Sequence, residues 1–157
     1  MKNILFVCTG NSCRSVMAEG LFKKIAADSG AAFSVSSAGI SALDGFPATD
    51  ETVRVMKQYG VDVSDHRSRR LTYPMIDDAD KIFVMEEVHR NIILKQVPDA
   101  EPKVALLTEF LPEHRENTGH RDIPDPIRMS DNFYKNVSAV IASCVEGAMK
   151  SLREEII

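Results

Sequence analysis

Short β-rich runs alternate with longer runs of helical periodicity along this chain, and no other feature narrows its fold so far. "NILFV" at 3–7 has the composition of a buried strand. From Ser15 onward, Met17, Ala18, Leu21, Phe22 and Ile25 recur at helical spacing and stop near Gly30. "FSVSSAG" at 33–39 reads as a second strand closed by Gly39. Residues 48–59 carry Val53, Met56 and Tyr59 on one helical face and stop at Gly60. "KIFVM" at 81–85 precedes the helical "EVHRNIILKQV", and "KVALL" at 103–107 is a fourth strand. A last helix places Phe133, Val137, Val140, Ile141, Cys144, Ala148 and Leu152 on a buried stripe, which makes Cys144 a core residue.

This alternation predicts an α/β fold, a three-layer, doubly wound four-stranded parallel sheet with helices on both faces. Ligand chemistry is then expected beyond the carboxyl ends of the strands. The segment 108–132, rich in proline, glycine and charge, is expected to be irregular, and loops of that length in compact domains are more often functional than idle.

At 157 residues with 44% hydrophobic content, the chain is expected to form one domain over 1–157 around one core. A net charge of -4 argues against nucleic acid as a partner. Three cysteines and four scattered histidines make neither a disulfide framework nor a zinc site, which fits a reduced, cytoplasmic setting with no metal. The first apolar run ends in polar loop residues and no segment approaches 18 apolar residues, so neither secretion nor a membrane partner is expected.

"CTGNSCRS" at 8–15 joins the first strand to the first helix, where unpaired N–H groups and the positive dipole end meet. An anion binds well in such a place. Gly10 is expected to let the loop of Thr9, Gly10, Asn11, Ser12 and Cys13 curl into a nest of N–H groups. Arg14 adds a planar fork for two oxygens of one phosphate, and the lysine of a nucleotide P-loop is missing. A helix N-terminus and a nearby cation both stabilise a cysteine thiolate, so Cys8 reads as a nucleophile beneath the bound oxyanion. Ser15 could donate to it, and Asn11 could hold the loop in shape. A lone cysteine after a strand is ordinarily a small buried hydrophobe; the joint spacing of Cys8, Gly10, Asn11 and Arg14 is what argues otherwise. Transfer of a phosphoryl group to Cys8 requires a proton donor for the departing group. "DIPDPIR" at 122–128 offers Asp122 and Asp125, the latter held between Pro124 and Pro126.

These segments, with "MAEGLFKK", "SSAG" at 36–39, "GFPAT" at 45–49, "DHRSRRLT" at 65–72, "ADKIFVME" at 79–86 and "DPI" at 125–127, together resemble the low-molecular-weight protein-tyrosine phosphatases. The resemblance implies metal-free, cofactor-free hydrolysis of a phosphorylated protein through a phosphocysteine on Cys8. In it the loop cradles the phosphate, Arg14 stabilises the transition state, and Asp125 protonates the leaving group and then activates water. It also implies that His66 supports Asn11, that Phe46 and Ile127 flank the substrate ring, and that Cys13 forms a reversible disulfide with Cys8 under oxidation.

Ser12 stands where tyrosine-specific members tend to carry an apolar residue, and Ile127 and Arg128 replace their aromatic pair. A small polar residue at position 12 is similar to the bacterial protein-arginine phosphatases, the second expectation. Arsenate reductases share "CTGNSCRS" but need two further cysteines after the third strand, and "VMEEVHRNIILKQVP" has none. A phosphate-binding module without turnover ranks last, because nucleophile and acid are both present.

Overall fold

The computed structural model describes residues 1–112 and 122–156. Strands β1 (Lys2–Cys8), β2 (Phe33–Gly39), β3 (Lys81–Val84) and β4 (Val104–Leu106) form a parallel sheet in the order β2-β1-β3-β4. The described helices are α1 (Arg14–Ser29), α2 (Asp50–Lys57), α3 (Tyr73–Asp78), α4 (Glu87–Gln96) and α5 (Asp131–Glu154).

Successive side chains of a strand point to opposite faces, and β1 divides the core accordingly. Ile4, Phe6 and Cys8 pack with buried residues of α1, α2 and α5, whereas Leu5 and Val7 pack with Ile76 of α3 and Ile93 of α4. Both faces are therefore covered, which is the three-layer, doubly wound α/β arrangement expected of the sequence. Phe33, Phe22, Phe6, Phe83 and Phe110 run in succession through the first face, with neighbouring ring centroids 5.3 to 5.7 Å apart. Each such pair contributes about 0.5–1.5 kcal/mol beyond its burial.

Local chemistry sets the helix ends. Helix α1 stops at Gly30, which adopts the left-handed φ of 67°. Thr49 caps α2 by accepting from the Thr52 N–H at 3.2 Å, and Ser130 caps α5 by accepting from the Phe133 N–H at 3.2 Å. These caps place α2 inside the expected 48–59 and start α5 two residues before the expected Phe133. Helix α3 has no counterpart in the sequence reading, because six residues beginning "YP" complete too few turns to display a period. Within the expected irregular segment 108–132, residues 113–121 lie outside the described residues, and a short 3-10 turn, Leu107–Phe110, enters it.

The sheet order reverses beside β1, with β2 on one side and β3 on the other. Crevices for ligands form at such a switch point, outside the carboxyl ends of the strands. Cys8 ends β1 there, and Met85 and Glu86 follow β3 at the same edge.

Candidate active site

Cys8 is 2% exposed, and its sulfur accepts from the Asn11 backbone N–H at 3.3 Å and lies 2.9 Å from Ser15 Oγ. Asn11 Nδ2 donates to Ser15 Oγ at 2.8 Å and to Ser37 Oγ at 2.9 Å. Ser15 is thereby an acceptor toward Asn11, and its own proton is available to Cys8. Asn11 Oδ1 accepts from the Arg69 N–H at 2.9 Å, and the Asn11 carbonyl accepts from His66 Nε2 at 2.8 Å.

The turn of the loop lies where asparagine stands. Asn11 has φ of 53°, a left-handed conformation that asparagine tolerates better than most residues, while Gly10 does not have a positive φ. The conformational freedom expected of Gly10 is therefore used by its neighbour, which is wholly buried and bonded through both ends of its amide.

Arg14 begins α1 and is 1% exposed. Its Nη1 donates to Glu86 Oε2 at 2.8 Å and to the Ile123 carbonyl at 2.6 Å. Its Nη2 points to Thr9 Oγ1 at 3.5 Å and lies 3.7 Å from Asp125 Oδ2. A guanidinium so anchored along one edge keeps its orientation.

Of the two acids offered by the sequence, Asp125 is the one that faces Arg14. Its Oδ1 accepts from the Ile127 N–H at 3.1 Å, which ties Ile127 beside it. Asp122 is used elsewhere, since its Oδ1 accepts from the Glu87 N–H at 2.8 Å at the start of α4. Phe46 and Ile127 are 57% and 48% exposed. The backbone following β2 borders the loop: the Ile40, Ser41 and Thr49 N–H groups donate to the carbonyls of Cys8, Thr9 and Ser12.

Cys13 is buried, with its sulfur 3.6 Å from Thr49 Oγ1 and 3.5 Å from the Tyr134 hydroxyl. Burial pushes the Tyr134 phenol up, which keeps it protonated. Cys144 is buried in α5, as its place on the stripe implied. A cavity of about 390 Å³ lined by Val16, Glu19, Ser37, His66 and Arg69 among others opens behind the loop. Three of its lining residues, Ser37, His66 and Arg69, bond Asn11, and neither Asn11 nor Cys8 lines it.

Glu86 and His89 were missed by the sequence reading. They contact Arg14 and Thr9 across 72 and 80 residues of chain, and no local spacing announces them. The one available signal was a carboxylate directly after a buried strand, at the sheet edge where the ligand was expected.

The family model described as low molecular weight phosphotyrosine protein phosphatase matches residues 3–156. A probable low molecular weight protein-tyrosine-phosphatase, EpsP, of Ralstonia solanacearum is 35% identical over 153 residues, covering 98% of this chain and 97% of that protein. A protein-arginine-phosphatase of Bacillus subtilis is 34% identical over 154 residues, with 98% of each chain covered. Among solved structures, a mutant of the YwlE arginine phosphatase with a phosphorylated active-site serine superposes with a TM-score of 0.86 at 32% identity, covering 96% of this chain and 95% of that one.

Proposed function

The chain belongs to the low molecular weight phosphotyrosine protein phosphatase family, and from that premise we propose that it hydrolyses phosphotyrosine in proteins, without metal or cofactor, through a phosphocysteine on Cys8. The observation that carries this reading is the meeting of Cys8, Ser15 and Arg14 at one loop, with Asp125 3.7 Å from the guanidinium. Residues 9–14 cradle the phosphate, with N–H groups at the start of α1 and the Arg14 fork stabilising the charge. Cys8 Sγ forms a bond to phosphorus as the ester P–O bond breaks, and the electron pair leaves with the departing oxygen. Asp125 gives that oxygen its proton. A water then attacks phosphorus, Asp125 takes its proton, and the S–P bond breaks to release phosphate and restore the Cys8 thiolate. Ser15 stabilises that thiolate in both steps, and Asn11, held by His66, keeps the loop in shape.

A second reading, protein-arginine phosphatase, is supported by Ser12, a small polar residue at the loop, and by the likeness to the Bacillus subtilis protein. Phe46 and Ile127 supply a thinner wall for an aryl ring than an aromatic pair would, which bears on the same choice. No described helix is long and apolar enough to cross a membrane. The cytoplasmic placement and the single domain over 1–157 are proposed from the sequence, on its cysteine usage and its length.

The test is turnover of a phosphotyrosine peptide and a phosphoarginine peptide of equal sequence by wild type and Cys8→Ser. Faster Cys8-dependent release from phosphotyrosine is expected. Preference for phosphoarginine would replace the first reading with the second, and turnover by Cys8→Ser would remove the phosphocysteine step.

A further inference from the structure

We propose that His89 is a positioning residue for the phosphate-binding loop, acting through Thr9 and through the Glu86 carboxylate that grips Arg14. The proposal rests on the phosphatase reading above and adds a residue to it.

The geometry begins with the tautomer. His89 Nδ1 accepts from the Glu86 backbone N–H at 3.1 Å, so the ring proton sits on Nε2. That nitrogen lies 2.9 Å from Thr9 Oγ1 and donates to it. Arg14 Nη2 approaches the same oxygen at 3.5 Å. With donors on both sides, the Thr9 oxygen is an acceptor twice over, and its own proton turns away from His89 and Arg14. Thr9 directly follows the nucleophile, so this fixes one wall of the loop.

Glu86 supplies the second link. It caps α4 reciprocally with His89, its carboxylate accepting from the His89 N–H while His89 receives the Glu86 N–H. The same carboxylate receives Arg14 Nη1 at 2.8 Å. The acid loop is moored on this turn too, because Asp122 receives the Glu87 N–H at 2.8 Å and the Ile123 carbonyl receives Arg14 Nη1 at 2.6 Å. The first turn of α4 thus sets nucleophile loop, arginine and acid in register. His89 is 1% exposed there, and burial, with the neighbouring Arg14 charge, lowers it to about 4 against the pull of Glu86, Asp122 and Asp125. It is neutral at ordinary pH, as the tautomer requires.

The deciding comparison is His89→Gln against His89→Asn. Glutamine reaches far enough to donate to Thr9, whereas asparagine can still receive the Glu86 N–H and falls short of Thr9. Steady-state turnover of p-nitrophenyl phosphate and calorimetric affinity for inorganic phosphate would be measured for both, for Thr9→Val and for Thr9→Val/His89→Asn, with circular dichroism to confirm folding. His89→Asn is expected to lose about 10- to 100-fold in kcat, the scale at which small misplacements act, and His89→Gln to retain most of it. The double variant should be no slower than the slower of the two single variants.

A folded His89→Asn with wild-type kcat and phosphate affinity would overturn the proposal, as would equal losses in Gln and Asn or losses that multiply in the double variant. A wild-type chain that binds phosphate but turns nothing over would overturn the phosphatase reading alone. The phosphate affinities of the same variants would then still decide the role of His89.

Discussion

A Cβ on Gly39 would stand 2.5 Å from the Thr9 carbonyl oxygen and 2.9 Å from the Asn11 nitrogen. The end of β2 and the phosphate loop therefore approach to a distance that only glycine allows. Gly39→Ala is expected to push the loop off its bonds to Ile40 and Ser41, lowering kcat/KM for an aryl phosphate at least ~10-fold and stability by about 1–3 kcal/mol. Steady-state kinetics and urea unfolding check the two effects separately.

Asp125→Asn should slow transfer in proportion to how poorly the leaving group departs. An alkyl phosphate needs the proton and should lose roughly 10²- to 10⁴-fold in kcat, whereas p-nitrophenolate leaves without much help and should lose far less. The ratio of the two losses is the measurement. Equal losses would transfer the role to a different acid, and Asp122, tied to the Glu87 N–H, is not placed to take it.

Asn11→Ala removes the amide that links Ser15, Ser37 and Arg69 and leaves an alanine with the φ of 53°. Backbone strain and orphaned polar groups together predict a loss on the order of 2–4 kcal/mol. Ser15 would also lose the bond that aims its proton. The reaction rate of Cys8 with iodoacetamide across pH, set beside the unfolding midpoint, separates the effect on the thiolate from the effect on stability.

Acid sensitivity follows from His89, whose value falls from 6.5 to about 4 in the fold, mainly through burial. As pH drops, the unfolded chain takes up this proton first, so stability is unaffected above about 6.5, declines between about 6.5 and 4, and levels below. The full shift is worth roughly 3 kcal/mol, and water at the nearby cleft discounts it to about 1–2. Urea midpoints of wild type and His89→Gln at neutral pH and at about pH 4.5 should therefore converge on the acid side. A constant gap between them would contradict the assignment.

The loop after the first strand was readable because its parts are contiguous: Cys8, Asn11, Arg14 and Ser15 span two turns of chain and straddle a strand and a helix with clear periods. Asp122 and Asp125 were both offered by one proline-rich segment, the resemblance singled out Asp125, and it is Asp125 that lies 3.7 Å from Arg14. His66 was placed beside Asn11 by resemblance, and it does contact the Asn11 carbonyl. Glu86 and His89 were invisible because tertiary pairing, and not spacing, brings them to Arg14 and Thr9. Helix α3 was missed for want of length, and the left-handed residue was assigned to glycine when an asparagine amide could stabilise the same backbone.

The bonds around Asn11 also bear on timing. A loop held open by its own amides, serines and histidine has no closing motion left to make when an oxyanion arrives. Capture of inorganic phosphate should accordingly be a single rapid phase whose rate rises linearly with concentration and falls with added salt, as steered diffusion into a preformed cradle does.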